Sequence, residues 1–236
     1  MTLTLAGIQK YLIVIVSLPS FPLCCFHLGI IFLYPAWKKL RITFNVRPLM
    51  TLHNFVCSLV SLYTFIGVLL CFFVIESTFK LGPDQCLLPY FRVYRITKML
   101  ELFDTVIMIL RHRPQQISFL HVYHHTTMVL ITDAGYHFFP LPKISIYFAT
   151  NALVHFITYL FYGLSTFFPN KLLPWRKTNT KIEIIEFLVL NVHVTFGYLN
   201  NDHCIYSVLY GITILSLNIY YLSFESSKTS KLIKDH

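Results

Sequence analysis

Three histidines within a five-residue stretch are the sharpest chemical feature of the sequence. They are His121, His124 and His125, with Val122 and Tyr123 between the first two. On a helix the spacing i, i+3 and i+4 places all three imidazoles on one face. A single histidine in an apolar helix is usually a packing residue, but three on one face are not explained by packing. They predict a site for metal ligation or for acid–base and nucleophilic chemistry.

A second set of polar residues combines charges of both signs. Lys98, Glu101, Asp104 and Thr105 lie close together in the sequence. A continuous helix would place Lys98, Glu101 and Thr105 on one side, with Asp104 next to them. Two interpretations remain open: a buried ion-pair network that braces neighbouring helices, or a lysine that steadies an anionic substrate.

Two further polar stripes interrupt otherwise apolar segments. The first stripe consists of Asn151, His155, Thr158, Tyr159 and Tyr162, and the second of Glu183, Glu186 and His193. Each stripe lies on one side of a helix at 100° per residue. Ionisable residues inside a membrane are functional candidates by default. Four such stripes on four segments predict one shared polar cavity.

The segments that must position these residues are those of a membrane protein. Hydrophobic residues make up 56% of the 236 residues and charged residues 12%, and the mean hydropathy is +0.62. A soluble domain carries about 25% charged residues, and a disordered chain is far less hydrophobic. The net charge of +9 does not indicate a nucleic-acid partner, since such proteins cluster their charge on a polar surface.

The predicted fold class is all-α: a polytopic membrane protein with seven transmembrane helices, at about 20 residues per span. The chain is expected to form a single integral membrane domain over residues 1–236. Residues 1–18 are interpreted as an uncleaved leader to the first span. The predicted spans are residues 21–37, 54–75, 90–110, 117–136, 144–163, 182–200 and 204–224.

The basic residues predict how the spans are oriented. Most of the 19 Lys and Arg residues lie in the segments 38–47, 111–113, 171–181 and 228–234, which alternate to one side of the membrane. The opposite side holds only Lys10, Lys80 and Lys143. Because basic loops stay in the cytosol, the N-terminus is expected in the lumen and the C-terminus in the cytosol.

The six cysteines fall into two groups. Four of them, Cys71 among them, lie inside predicted spans and are expected to act as small apolar residues. Cys86 and Cys204 precede the third and seventh spans on the luminal side. An oxidising lumen permits a disulfide between them, and two free thiols are the alternative.

Four segments together resemble the conserved boxes of one family. Residues 98–105 resemble the KxxExxDT box, and residues 121–125 the HxxHH box, of the fatty acid elongase (ELO) family. Residues 151–162 resemble its NxxxHxxMYxYY box and residues 180–187 its TxxQxxQF box. The order and spacing, from about Arg92 to Tyr221, are also similar to those of the family. HxxHH alone is less specific, because di-iron membrane desaturases share it.

The sequence departs from the family pattern at four positions. Thr158 stands where the family has Met, and Phe161 replaces one Tyr. Glu183 and Glu186 stand where the family has two glutamines. Carboxylates in place of amides change local hydrogen bonding and charge, which bears on substrate preference and efficiency.

The resemblance implies an acyltransferase, a very-long-chain 3-oxoacyl-CoA synthase of the endoplasmic reticulum membrane. It would condense a long-chain acyl-CoA with malonyl-CoA to a 3-oxoacyl-CoA two carbons longer, releasing CoA and carbon dioxide. In the family, spans 2–7 form a bundle around an acyl-chain tunnel, with the site toward the cytosol. The CoA thioesters are substrates, and no cofactor and no metal is implied.

The resemblance also implies partners and a covalent link. The partners would be membrane lipid, the 3-ketoacyl-CoA reductase, dehydratase and enoyl reductase of the elongation cycle, and a second copy in a homodimer. The family has a luminal disulfide that Cys86 and Cys204 would match. Acyl-chain length and unsaturation preference do not follow from the resemblance.

By resemblance, each conserved position receives a role. His124 would accept the acyl group as nucleophile, while His121 and His125 orient it or exchange protons. His155 would handle the malonyl half, and Asn151 would donate to a thioester or enolate oxygen. The expected substrate-binding residues are Lys98, Glu101, Asp104, Tyr159, Tyr162 and Glu183.

Three other interpretations are weighed against this one. A di-iron desaturase or hydroxylase needs roughly eight nitrogen or oxygen ligands, whereas this sequence has one HxxHH box among its 11 histidines. A seven-span receptor or transporter fits the span count but does not require such imidazoles. A non-catalytic family member acting as a scaffold is the third, because Glu183 and Glu186 depart from the family pattern.

Overall fold

The computed structural model describes residues 5–40, 42, 44–75, 83–138, 142–168, 175–200 and 205–234. Helices joined by short turns make up this part of the chain. Within these ranges there is no strand, so the all-α class is confirmed. The helices are α1 Leu5–Ser17, α2 Phe21–Leu40, α3 Arg47–Phe72, α4 Leu88–Glu101, α5 Phe103–Leu110, α6 Phe119–Phe138, α7 Ser145–Ser165, α8 Trp175–Leu199 and α9 Ile205–Lys234.

Four stretches of the described chain are long and apolar enough to cross a membrane. They are Phe21–Leu40, Arg47–Phe72, Pro142–Ser165 and Thr178–Leu199, and they match the predicted first, second, fifth and sixth spans. A shorter apolar stretch, Ser207–Ser223, lies in α9. The third, fourth and seventh spans stay predictions, since α4 and α6 carry the charges and imidazoles that reduce their apolar character.

The predicted third span, residues 90–110, is not one continuous helix. Leu102 separates α4 from α5, and its amide bonds to the Met99 carbonyl at 3.3 Å. The Thr105 amide bonds to the Leu102 carbonyl at 3.3 Å. These i→i+3 bonds tighten the turn relative to an α-helix. The sequence pattern predicted that Asp104 and Thr105 continue the helical arc of Lys98 and Glu101. The break at Leu102 shows that they do not.

The chain divides into two compact units, Met1–Gly163 and Leu164–His236. In the first unit, α3, α4 and α7 share an apolar core. Its buried members are Val68, Cys71, Leu87, Phe91, Tyr94, Phe148, Ala149 and Ala152. Gly67 allows α3 and α4 to approach, because a Cβ there would overlap the Tyr90 ring.

A disulfide joins the end of α3 to the start of α4, between Cys71 and Cys86. The predicted Cys86–Cys204 pairing is therefore wrong, and Cys204 itself lies outside the described residues. The reason is that α3 ends at Phe72, earlier than the predicted span, so Cys71 lies at a helix end. The α3–α4 connection then brings its Cα within 5.8 Å of that of Cys86, inside the range for bridging.

Helix α2 packs against α5 and α6 within the first unit. Its residue Cys24 is buried with Leu102 and Val129. The Ser20 amide, just before α2, donates a hydrogen bond of 2.9 Å to the buried Asp133 carboxylate of α6. On the outside of α2, Phe32 has 82% of its surface exposed, which suits contact with lipid acyl chains.

The second unit contains α8 and α9, which pack on each other. The approach is close at Gly211, where a Cβ would lie 2.5 Å from Oδ1 of Asn191. The Asn191 amide nitrogen donates to the Phe187 carbonyl at 2.7 Å, which holds the side chain along its own helix. A small residue on one helix therefore accommodates a polar residue on the other.

Candidate active site

A buried carboxylate, Glu101, lies at the centre of the polar cluster in the first unit. It accepts hydrogen bonds from Lys98 Nζ at 3.0 Å on both oxygens. His155 Nδ1 of α7 lies 3.0 Å from Oε1, and His125 Nδ1 of α6 lies 3.8 Å from Oε2. Glu101 is 1% exposed and Lys98 2%. The ion pair of the first interpretation therefore exists, and it joins three helices.

The contacts of His155 identify its tautomer. Lys98 Nζ can only donate, and the Glu101 carboxylate can only accept. Because Nδ1 is 3.0 Å from Glu101, the proton belongs on Nδ1. Lys98 Nζ lies 3.4 Å from Nδ1 and 3.3 Å from Nε2, so the ammonium contacts the ring without lying in line with one lone pair. The lysine and the carboxylate thus hold the imidazole in one orientation.

The Asp104 carboxylate faces different partners from Glu101, because it follows the break at Leu102. It pairs with His53 Nε2 of α3 at 2.9 Å. Its other oxygen accepts a hydrogen bond from the Tyr159 hydroxyl of α7. Asp104 therefore links α3, α5 and α7, and it places Tyr159 beside the His155 ring at a centroid distance of 5.7 Å.

Thr105, the next residue on α5, connects two histidines. Its hydroxyl lies 2.9 Å from His121 Nε2 of α6 and 2.9 Å from His27 Nε2 of α2. Thr105 is fully buried, and His27 is 2% exposed. The hydroxyl is thus a bridge between the histidine box and a helix that lies outside the conserved boxes.

The three histidines of α6 share one face, as their spacing predicted. The ring centroids of His121 and His125 are 4.4 Å apart, and those of His124 and His125 are 5.6 Å apart. His124 also interacts electrostatically with Lys98 and His155. Two of the predicted polar stripes therefore meet the histidine box within the first unit.

Asn151 lies one turn before His155 on α7. Its Oδ1 accepts a hydrogen bond of 2.6 Å from the Tyr94 hydroxyl of α4. The Tyr94 ring also lies under Lys98 Nζ, which is 5.0 Å from the ring centroid. The Asn151 side chain is therefore held between α4 and α7 through its carbonyl oxygen.

Two other predicted site residues, Tyr162 and Glu183, have neighbours of their own. Tyr162 is 42% exposed, and its ring contacts that of Phe161, its neighbour on α7. Glu183 lies in the second unit, where Asn179 Nδ2 donates to it at 2.9 Å. Glu186 of the same helix is buried, with 6% exposure.

A basic cavity of about 290 Å³ lies where α3 begins and α5 ends. Its lining consists of Phe44, Asn45, Val46, Arg47, Leu110, Arg111, His112 and Arg113. Burial, and then the charge of Arg113, lower the pKa of the Arg111 guanidinium from its ordinary value. The three arginines are exposed, so the cavity gathers positive charge in a position that solvent reaches.

Sequence reasoning did not include three residues that the fold brings to the site: His27, His53 and Tyr94. The two histidines carry a usable signal, because an ionisable residue in an apolar helix is a functional candidate. Tyr94 carries none, since a tyrosine in an apolar helix is ordinary. Among the described residues, no group of three or more His, Cys, Asp or Glu side chains is arranged to hold a metal ion.

The comparisons with known proteins agree on one family. Residues 15–224 match the model of ELO, the GNS1/SUR4 family. The chain is 30% identical over 197 residues to human "Very long chain fatty acid elongase 1", covering 79% of this chain and 71% of the relative. It is 28% identical over 238 residues to mouse "Very long chain fatty acid elongase 2", covering 92% and 80%.

A third relative extends over a similar length. Mouse "Very long chain fatty acid elongase 5" is 27% identical over 233 residues, covering 93% of this chain and 78% of the relative. The family match includes all four boxes that carried the resemblance, and it identifies the family that the HxxHH box alone left open. The chain belongs to the ELO (GNS1/SUR4) family.

Proposed function

We propose that the protein is the condensing enzyme of fatty acid elongation, an acyltransferase that joins a long-chain acyl-CoA to malonyl-CoA. The observation that carries this proposal is the cluster around Glu101, in which Lys98, His155 and His125 converge from three helices. Membership of the ELO family, and relatives named very long chain fatty acid elongases, support the same reaction. The product would be a 3-oxoacyl-CoA two carbons longer.

In the first half-reaction, His124 is the proposed nucleophile. A neutral imidazole nitrogen attacks the thioester carbonyl, an acyl-imidazole forms, and the CoA thiolate leaves and takes up a proton. A covalent intermediate divides one difficult acyl transfer into two easier steps. The neighbouring rings of His121 and His125 would orient His124 or exchange that proton.

In the second half-reaction, malonyl-CoA loses carbon dioxide and the resulting enolate attacks the acyl-imidazole carbonyl. The carbon–carbon bond forms as the carbon–nitrogen bond to His124 breaks. The Asn151 amide nitrogen would donate to the enolate or thioester oxygen, and such donors contribute about 10²–10³ in rate. The bond from the Tyr94 hydroxyl to the Asn151 carbonyl oxygen supports this role, because it fixes the side chain. Lys98 and His155 would steady the malonyl carboxylate before it leaves.

The expected substrate-binding residues have supporting roles. Asp104 and Tyr159, which bond to each other, would shape the wall next to His155. Tyr162 and Glu183 are proposed to contact the acyl chain or the CoA moiety. With Glu183 and Glu186 in place of the family's amides, the preferred acyl chain is expected to differ from that of relatives with glutamine.

The test is the purified protein in detergent with labelled malonyl-CoA and a series of acyl-CoAs. Two-carbon extension is expected, together with a burst of about one CoA per protein when acyl-CoA is supplied alone. His124→Ala is expected to abolish both signals. His137→Ala is the matched control, because this histidine lies on the same helix about 20 Å further along at 1.5 Å per residue, and it is expected to keep them.

The possible outcomes separate the alternatives. A folded wild-type protein that extends no acyl-CoA and releases no CoA would support the non-catalytic scaffold instead. Extension without a CoA burst would contradict the acyl-histidine intermediate while leaving the condensation in place. We also propose that no metal or other cofactor takes part, and stoichiometric iron in active protein would contradict this.

The basic cavity between α3 and α5 is proposed to attract the phosphates of the CoA substrates. Its arginines raise the local anion concentration, an effect that salt screens. Arg113→Gln is expected to raise the KM for both CoA substrates several-fold and to weaken the salt dependence, with kcat unchanged. Lys143→Gln, on the predicted luminal side, is the matched control, and an equal KM change in both variants would contradict the proposal.

The proposed location is the endoplasmic reticulum membrane, with the N-terminus in the lumen and the C-terminus in the cytosol. The helices that are long and apolar enough to cross a membrane support a multi-pass protein. The basic loops support the orientation. The 3-ketoacyl-CoA reductase, dehydratase and enoyl reductase of the cycle, and a second copy of this chain, are proposed partners.

A further inference from the structure

A chain of four hydrogen-bonding groups extends from α2 to the histidine box. Thr126 Oγ1 of α6 lies 3.3 Å from His27 Nδ1, and His27 Nε2 lies 2.9 Å from Thr105 Oγ1. Thr105 Oγ1 lies 2.9 Å from His121 Nε2. His27 thus has a hydroxyl at each ring nitrogen, and it is nearly inaccessible to solvent.

The proton inventory of this chain couples the two histidines. A neutral imidazole carries one proton, so it donates at one nitrogen and accepts at the other. A threonine hydroxyl also has only one proton to donate. The Thr105 oxygen can accept two hydrogen bonds, but among the described residues its hydroxyl has no partner besides His27 and His121. Its proton therefore goes to one of these histidines, and the other histidine must donate to it.

Only two arrangements satisfy all four groups. If His27 is protonated on Nδ1, its Nε2 accepts from Thr105, and His121 must donate to Thr105 from Nε2. If His27 is protonated on Nε2, it donates to Thr105, which in turn donates to His121 Nε2 and leaves the His121 proton on Nδ1. The tautomer of His121 thus follows that of His27.

We infer that His27 is a positioning residue that sets the tautomer and orientation of His121 through Thr105. This inference rests on the proposed function, in which His121 orients His124 or exchanges its proton. It adds a residue of the first apolar span, which contributes no conserved box, to the machinery of the site. The hydrogen-bond partner of one ring nitrogen commonly decides which nitrogen of a functional histidine is protonated.

The test compares two replacements of His27 by condensation kinetics. His27→Phe fills the space but removes the hydrogen bond, and it is expected to lower kcat by about tenfold, the worth of one hydrogen bond, with KM unchanged. His27→Gln keeps a polar group that can bond to Thr105, and it is expected to remain within about threefold of wild type. Phe32→Ala, on the exposed side of α2, is the control with unchanged activity.

A double-mutant cycle links the effect to Thr105. Thr105→Val breaks the same chain with little change of shape, so adding it to His27→Phe is expected to cost little more than either change alone. Fully additive losses would overturn the inference, as would equal activities of His27→Gln and His27→Phe. If His27→Phe does not fold, the kcat of His27→Gln is compared with that of Thr105→Val. A higher kcat in His27→Gln supports the inference, and equal values would overturn it.

A spectroscopic measurement separates this inference from the proposed function. Nitrogen NMR of histidine-labelled protein distinguishes protonated from unprotonated ring nitrogens. A single His121 tautomer is expected in the wild type and in His27→Gln, and a mixture in His27→Phe. This result would hold even if the protein extended no acyl-CoA. An unchanged His121 spectrum in His27→Phe would overturn the inference.

Discussion

At the scale of single residues, the site depends on how Glu101 is compensated. A carboxylate that is 1% exposed is stable only when other groups satisfy its charge and its lone pairs. Lys98 supplies a full charge, and His155 supplies a ring N–H. The same contacts orient the two groups that are proposed to meet malonyl-CoA, so stability and reactivity share one set of hydrogen bonds.

Replacing one member of this pair is expected to be costly. Glu101→Gln leaves the buried Lys98 ammonium without a countercharge, and the loss in the free energy of unfolding should be about 3–5 kcal/mol. The double variant Lys98→Met, Glu101→Leu removes both charges and should recover most of that loss. Denaturant unfolding in detergent measures both values, and a double variant as unstable as Glu101→Gln would contradict the argument.

At the scale of elements, the break at Leu102 distributes the residues of one conserved box among several helices. Glu101 ends α4 and meets α6 and α7, whereas Asp104 and Thr105 begin α5. Asp104 meets α3 and α7, and Thr105 meets α2 and α6. A straight helix would have presented these side chains along one stripe. The tight turn instead lets one short segment contact four other helices, α2, α3, α6 and α7.

The α3–α4 connection makes a second prediction at this scale. The disulfide closes a sequence separation of 15 residues, so its removal in Cys86→Ser should cost about 3 kcal/mol of stability. Mass spectrometry of the unreduced protein should find a peptide that links Cys71 to Cys86. Cys204→Ser is the matched control, with that peptide and the stability retained. A Cys86–Cys204 peptide would contradict the described pairing.

The close approach of α3 and α4 gives a third prediction. Gly67→Ala would push a methyl group into the Tyr90 ring, and such overpacking costs about 1–3 kcal/mol. Gly29→Ala on α2 is the matched control, since nothing lies within 4 Å of its Cβ. It should be neutral or slightly stabilising, because alanine favours a helix. Equal unfolding midpoints for the two variants would contradict the packing argument.

At the scale of the whole molecule, charge distribution is expected to set the orientation in the membrane. The basic segments between predicted spans alternate to one side, and translocation of such segments is disfavoured. On that side they would lie with the basic cavity and with the CoA substrates. A single charge pattern would thus orient the protein and attract anionic substrates to the basic cavity.

Glycosylation mapping tests this orientation. The sequence contains no Asn-X-Ser/Thr acceptor, so any glycosylation reports an introduced one. An acceptor inserted at residues 139–141 should be modified in microsomes, and one inserted at residues 171–174 should not. The reverse pattern would contradict the predicted topology.

Much of the candidate site was predictable because its residues follow helical spacing. The common face of His121, His124 and His125 was expected, as was the meeting of box residues from different helices. The ion pair of Lys98 with Glu101 was one of two interpretations that the spacing left open. The disulfide partner of Cys86 was not expected. The sequence alone does not show at which residue a helix ends. Because α3 ends at Phe72, Cys71 lies close enough to Cys86 to form the disulfide.

By itself the sequence determined the helical class, the apolar segments, the family and most residues of the site, because periodicity and composition are local properties. Only the tertiary structure decided which helix meets which. It turned the chain at Leu102, paired Cys71 with Cys86, and brought His27 and His53 to the conserved boxes. These choices depend on contacts between residues distant in sequence, and packing alone selects among them.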